Sequence, residues 1–181
     1  MIHHISIAAR EPERVAAVLA ELFGGYSFPF PPFPGGHIAL PGDTLGTAVE
    51  VLPLGSELVP GTDGGKVGAR RSEEPSSYTA THAAVSVPVS EERIKEIAAR
   101  EGWRAESFNR GGVFNLVEFW IENRLLVELL PPNMQGDYLD FMTPEKYAAL
   151  FGFDYTPRHA EPEPVGAGRP TLRRKGFEAF W

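Results

Sequence analysis

The chain contains no cysteine among its 181 residues. This absence excludes disulfides, thiolate nucleophiles, zinc fingers and iron–sulfur clusters, so any metal must bind through histidine and carboxylate side chains. The chain also lacks a run of about 18 apolar residues that would span a bilayer. Its first apolar stretch carries two histidines and runs directly into charged residues, unlike a signal peptide. We therefore expect a cytoplasmic protein with no membrane partner.

Basic residues are outnumbered: 17 Lys and Arg stand against 24 Asp and Glu, a formal net charge of -7. A negative chain is poorly suited to phosphate backbones, so we expect no nucleic-acid partner. Hydrophobic residues make up 43% and charged residues 23% of the chain, which is enough apolar material for a core. The length allows one ordinary domain or two small units that share a core.

The strongest signal is an internal repeat. The segment HHISIAA near the start resembles THAAVSV near residue 82, and TAVEVLP resembles RLLVELLPP further along. Three pairs of residues in the two copies are each separated by 78 positions: His4 and His82, Gly24 and Gly102, Glu50 and Glu128. A constant offset at well-separated places indicates a duplicated module.

Each copy is predicted to form a strand, an amphipathic helix that ends at glycine, and three more strands. The predicted fold is therefore α+β: two tandem βαβββ modules that form a cupped mixed sheet, followed by a C-terminal extension. The modules span 1–54 and 80–132, with a flexible inter-module loop over 55–79. The extension over 133–181 is predicted to hold one short helix, from an N-cap at Thr143 to a stop at Gly152, and then an extended arm.

Strand alternation indicates which residues share a face. Successive side chains of a strand point to opposite sides, so His4 lies opposite the Ile-rich face that must cover the helix. Glu50 lies between two valines and Glu128 between Val127 and Leu129, so each acid is predicted to face the cleft. If the first and last strands of each module are neighbours, His4 lies beside Glu50 and His82 beside Glu128. Two modules packed face to face would then bring four potential ligands together.

With these residues in place, the chain resembles the vicinal oxygen chelate superfamily, which includes glyoxalase I, fosfomycin-resistance proteins, extradiol dioxygenases and bleomycin-resistance proteins. The resemblance covers residues 1 to about 132. It implies paired βαβββ modules around one divalent metal ion, with His4, Glu50, His82 and Glu128 as ligands. In a glyoxalase-type reaction Glu128 or Glu50 would act as the catalytic base, and the sequence does not choose between them.

A set of two imidazoles and two carboxylates suits Zn, Ni, Co, Mn or Fe and leaves coordination positions open for water or substrate. The expected function is that of a metal-dependent lyase or isomerase that stabilises an enolate or oxyanion of a small oxygenated substrate. His37 and Asn115, which are equivalent under the same offset, are candidate substrate-binding residues. A homodimer is compatible with the family resemblance.

Two alternatives remain. A metal-dependent dioxygenase usually collects two histidines and one carboxylate from a single module, whereas here the candidate ligands divide two and two. A non-catalytic protein that binds an antibiotic or another small molecule usually lacks the metal-binding residues, whereas here all four are present.

Overall fold

The computed structural model of the chain describes residues 2–60 and 67–157. The first module contains β1 (His4–Ala9), α1 (Pro12–Phe23), β2 (Tyr26–Pro29), β3 (His37–Leu40) and β4 (Ala48–Pro53). Its strands form one mixed sheet in the order β1-β4-β3-β2, in which β1 and β4 run parallel and the other neighbours run antiparallel. Strand β2, which ends at Pro29, lies at the edge of the sheet, where a missing backbone donor is tolerated.

The segment between the modules is partly ordered. β5 (Ser56–Val59) and β6 (Gly68–Arg71) form an antiparallel two-stranded sheet. Glu57 and Arg70 are directly opposite each other in this pair, and their side chains form an ion pair at 2.6 Å. The prediction of a flexible loop over 55–79 was therefore wrong for these strands, because their pairing depends on contacts across the segment and not on local composition.

The second module repeats the first. It contains β7 (Ala83–Ser86), α2 (Glu91–Glu101), β8 (Arg104–Arg110), β9 (Phe114–Ile121) and β10 (Leu125–Leu130), in the sheet order β7-β10-β9-β8 with β7 and β10 parallel. The helix begins at Ser90, whose hydroxyl accepts a hydrogen bond from the Arg93 amide, and it ends at Gly102 in the left-handed conformation. The predicted pair of βαβββ modules is confirmed.

One hydrophobic core joins the two modules. Residues of α1 and α2 lie in it together with the inner faces of both four-stranded sheets, including Leu19, Val51, Ile97 and Phe119. The polar edge of this interface is an ion-pair network: Glu21 contacts Arg93 and Arg100, both at 2.7 Å, across the two helices. The modules therefore fold as neighbours of one core, as the chain length allowed.

The C-terminal extension begins with two helices. α4 (Pro144–Phe151) has its N-cap at Thr143 and ends at Gly152, as predicted. α3 (Pro132–Phe141) was not predicted, because its proline start, its internal glycine and its weak apolar pattern hide it. α3 contributes Phe141 and Tyr138 to a second, smaller cluster on β9 and β10. The predicted arm beyond residue 157 lies outside the described residues.

Within residues 2–60 and 67–157, no helix combines the length and the hydropathy needed to cross a membrane.

The ion pairs of Glu21 predict an acid-sensitive contact between the modules. The hydrogen bond from Arg100 holds the pKa of Glu21 below its ordinary value of 4.5, although burial opposes this. A carboxyl group whose pKa is lower in the folded state than in the unfolded state stabilises the fold at pH values above the unfolded-state pKa. This stabilisation disappears as the pH falls through the folded-state pKa. We expect Glu21→Gln to lower the free energy of unfolding by about 1 kcal/mol at pH 7, since the side chain is partly exposed.

The deficit of Glu21→Gln relative to the wild type should shrink as the pH drops below 4.5. Denaturant unfolding at a series of pH values measures it. The matched control is Glu96→Gln, which removes a partner of the same Arg93 within a single helix and should change stability by only about 0.3 kcal/mol. A pH-independent deficit, or equal effects of the two substitutions, would contradict the proposed role of Glu21.

Candidate functional site

The strand registers place His4 and Glu50 on one face of the first sheet, and in the second module His82 lies just before the strand that pairs with the strand of Glu128. Ser6 lies directly opposite Glu50 in the β1–β4 pair, and Ala84 lies directly opposite Glu128 in the β7–β10 pair. His4 and His82 each precede these opposing residues by two positions. The prediction that the first and last strands of each module are neighbours is confirmed, and both copies have the same register.

In the first module, Glu50 lies partly buried near the middle of a sheet face. The Ser6 hydroxyl donates a hydrogen bond of 2.6 Å to Glu50 Oε2. His4 is exposed at the start of β1 on the same face. His3, on the opposite face, hydrogen-bonds through Nδ1 to the Leu45 carbonyl oxygen at 2.7 Å. His4 and Glu50 therefore form a same-face pair with Ser6 beside them.

The same face of the first module is apolar beyond Glu50. Ile38 of β3 lies directly opposite Glu50, and Phe28 of β2 lies directly opposite Ile38. Tyr26 and Phe28 are 70% and 50% exposed, and their rings stack with centroids 6.4 Å apart. An acid surrounded by exposed aromatic and aliphatic groups suits contact with a small organic molecule or with another protein surface.

In the second module, Glu128 is 8% exposed and forms an ion pair. Arg110 Nη2 donates hydrogen bonds of 2.8 Å to Glu128 Oε1 and to Glu118 Oε1, which lies directly opposite Glu128 on β9. Burial alone would lower the pKa of Arg110, but the hydrogen bonds from the guanidinium to the two carboxylates raise it above its ordinary value. One cation therefore serves two neighbouring carboxylates.

Helix α3 covers part of this face of the second module. Tyr138 of α3 packs edge-on against Phe114 of β9, with ring centroids 5.1 Å apart. Burial, and secondly the negative charge of Glu128, raises the pKa of the Tyr138 hydroxyl. The two modules thus differ: the sheet face with Glu50 exposes its aromatic residues, whereas Glu128 lies beside the C-terminal extension.

The structure does not bring the four predicted ligands together in one chain. Within residues 2–60 and 67–157, no group of three or more His, Asp or Glu side chains is positioned to hold a metal ion. His82 is exposed immediately before β7, where its Nδ1 lies 3.2 Å from the Ala80 carbonyl oxygen. The carboxylate of Glu128 is instead paired with Arg110.

The two predicted substrate-binding residues lie on the other sheet faces. His37 is opposite Val51, one position out of phase with Glu50, and its Nδ1 is buried without a partner in the described part of the chain. Asn115 shares the parity of the core residues Val117 and Phe119, while Glu118 has the parity of Glu128. Strand alternation therefore directs both residues away from the faces that carry the glutamates.

Arg110 and Glu118 are site residues that the sequence interpretation missed. Glu118 alternates with buried residues in β9, which is the signal that identified Glu50 and Glu128. Arg110 has no comparable signal, because it ends β8 beside a glycine turn and reaches Glu128 only through the sheet order.

No protein-family model and no curated protein matches the sequence. Among solved structures, similar ones include the fosfomycin resistance protein FosX from Listeria monocytogenes complexed with Mn(II) and sulfate ion. It is 15% identical, has a TM-score of 0.48, and the match covers 83% of this chain and 97% of that one.

Two further similar structures come from other organisms. FosX from Mesorhizobium loti is 14% identical with a TM-score of 0.45, and the match covers 71% of this chain and 88% of that one. A putative glyoxalase family protein from Bacillus anthracis is 13% identical with a TM-score of 0.47, with coverages of 71% and 92%.

Proposed function

We propose that the protein is a glyoxalase-like enzyme that acts on a small oxygenated molecule with one divalent metal ion, Zn, Ni, Co, Mn or Fe. His4, Glu50, His82 and Glu128 are the proposed ligands. The observation that supports the proposal is the repeated register: Ser6 pairs with Glu50 and Ala84 with Glu128, and a histidine precedes each of Ser6 and Ala84 by two positions. If these four residues had only a structural role, the two copies would not need the same spacing and strand register.

The proposed ligands of the two modules are not equally available to a divalent ion. Glu50 accepts its hydrogen bond from a serine hydroxyl, which can rotate away at little cost. Glu128 is held by Arg110, and it becomes available only if a metal ion takes the place of the guanidinium. Because Arg110 Nη2 also bonds Glu118, the guanidinium keeps a carboxylate partner after that exchange. A bound divalent ion would supply Lewis-acid stabilisation of an oxyanion on the substrate.

We propose that a second copy of the chain completes the site, with His4 and Glu50 from one chain and His82 and Glu128 from the other. The two pairs lie apart within the described chain. The exposed Tyr26 and Phe28, two strands away from Glu50 on the same sheet face, supply apolar surface of the kind that is enriched at protein interfaces.

Glu50 is the better candidate for the base that moves a proton at the substrate carbon. It lies among exposed side chains, and its hydroxyl partner Ser6 both donates and accepts hydrogen bonds. Glu128 is only 8% exposed, so its carboxylate is less accessible to a substrate carbon than that of Glu50. The assignment gives Glu128 an electrostatic role and Glu50 the proton transfer.

The metal proposal predicts a difference between two adjacent histidines. Wild-type protein purified without an affinity tag should hold one divalent ion per chain. His4→Ala should weaken binding at least about tenfold, since loss of even an outer-shell partner has an effect of that size. His3→Ala is the matched control and should leave affinity unchanged, because His3 faces away and contacts Leu45. Elemental analysis and calorimetric titration with Mn(II) and Zn(II) measure both. Equal weakening in the two variants would contradict the proposal.

A second candidate function is a metal-free protein that binds a small molecule, and the Arg110–Glu128 ion pair favours it. In such a protein the Arg110 guanidinium would permanently take the place of a metal cation beside Glu128. The wild-type protein would then bind no metal ion, even at metal concentrations that saturate other sites made of histidine and carboxylate ligands.

The substitution Arg110→Met separates the two candidates. Removal of Arg110 leaves the part-buried Glu118 opposite the buried Glu128 with no cation between them, so we expect the free energy of unfolding at pH 7 to fall by about 3–5 kcal/mol. If the protein is a metalloenzyme, saturating Mn(II) should stabilise both the wild type and the variant. If it is a metal-free binder, Mn(II) should stabilise only the variant. The double variant Arg110→Met with Glu118→Gln removes one carboxylate and provides a better-folded form for the same measurement.

A further inference from the structure

Arg124 is a buried cation that forms no ion pair with any residue in 2–60 or 67–157. It follows the turn at Glu122 and Asn123, where both residues have positive φ angles, and it immediately precedes β10. The residue is only 7% exposed. One nitrogen, Nη2, donates to the carbonyl oxygen of Ala8 in β1, while Nε is buried without a hydrogen-bond partner among the described residues.

The charges around Arg124 do not neutralise it. Burial lowers the pKa of Arg124, the carboxylate of Glu122 opposes this, and Arg10 adds to it. The carboxylate of Glu122 is committed elsewhere, since it accepts hydrogen bonds from the backbone amides of Arg10 and Glu11 at 2.8 and 2.9 Å. An arginine side chain stays protonated in proteins, so burial leaves a positive charge that is only partly compensated.

Arg124 lines a cavity between the modules. The cavity has a volume of about 250 Å³ and lies where the end of β1, the start of β10 and the segment around β5 meet. Its lining is rich in hydroxyl groups: Ser6, Ser56, Ser72, Ser76, Thr79 and Thr81. Glu57 also lines the cavity, but its carboxylate is paired with Arg70 at 2.6 Å. The Ser6 hydroxyl already donates to Glu50 and the Ser56 hydroxyl to the Pro53 carbonyl oxygen. The cavity therefore combines a guanidinium that forms no ion pair among the described residues with the hydroxyls of Ser72, Ser76, Thr79 and Thr81.

We propose that this inter-module cavity binds a small oxyanion, with Arg124 as its charge partner and the hydroxyls of Ser72, Ser76, Thr79 and Thr81 as further donors. Carboxylates, phosphates and phosphonates share the required chemistry, because their oxygens accept paired N–H groups from a guanidinium. Since a water molecule occupies about 30 Å³ of liquid, the cavity admits an anion of a few to roughly ten heavy atoms. The inference does not depend on the proposed metal chemistry, although Ser6 lies between this cavity and Glu50.

The test measures binding of three probes to the full chain by calorimetry and by thermal unfolding: inorganic phosphate, methylphosphonate and acetate, with sodium chloride at matched ionic strength as the reference. We expect saturable binding of at least one probe to the wild type and a raised unfolding temperature. The preferred probe distinguishes carboxylate from phosphorus oxyanion recognition. Arg124→Met should weaken binding at least tenfold, whereas Arg124→Lys should retain part of it. Arg104→Met, which alters an exposed arginine on β8, should bind as the wild type does.

Failure of every probe to bind the folded wild type overturns the proposal, and so does equal binding by the wild type and Arg124→Met. If Arg124→Met does not fold, the double variant Ser72→Ala with Thr81→Val replaces it. These residues lie in the cavity lining and outside the described helices and strands. This variant should bind the preferred probe several-fold more weakly than the wild type, and unchanged binding overturns the proposal. Loss of metal binding in His4→Ala with intact oxyanion binding would separate this cavity from the metal site.

Discussion

The parallel pairing of the first and last strand in each module is the constraint on which the rest depends. These strands are distant in sequence, and parallel strands need a long crossover, which the helix and the two intervening strands supply. The pairing places Ser6 beside Glu50 and Ala84 beside Glu128. A shift of one residue in either register would turn the glutamate toward the helix-covered core, where an unpaired carboxylate is strongly unfavourable.

The two copies have kept this geometry and changed the surroundings of the acid. In the first module Glu50 has a hydroxyl partner and an open apolar face. In the second module Glu128 has a guanidinium partner and lies beside helix α3. Duplicated modules thus give two carboxylates with different partners, and this difference assigns proton transfer to one and charge stabilisation to the other in the proposed enzyme. The shared core and the contacts of Glu122 and Arg124 with the start of the first module hold the two copies together.

The sequence predicted those features that are local or repeated. The glycine stops at Gly24 and Gly102, the caps at Ser90 and Thr143, and the faces of Glu50 and Glu128 follow from short patterns and the constant offset. The sequence did not reveal the partners of the acids. Arg110 reaches Glu128 only because β8 and β10 flank β9, and Arg124 becomes buried only when the second module docks against Ala8. His37 and Asn115 show what the constant offset cannot predict. It identifies equivalent positions in the two copies, but it does not tell which face of the sheet each side chain occupies. The hairpin of β5 and β6 depends on pairing across a charged segment that resembles a linker.

The central claim is that the first module's imidazole and carboxylate bind a divalent ion. X-ray diffraction from crystals grown with excess Mn(II), recorded at the manganese absorption edge, tests it most directly. The account predicts an anomalous peak within coordination distance, about 2.0–2.2 Å, of both the Glu50 carboxylate and the His4 imidazole, with Glu128 of a second copy of the chain turned from its Arg110 toward the same ion. A map with no such peak, in which Glu128 still contacts Arg110, would contradict the claim and leave a metal-free binding protein as the better description.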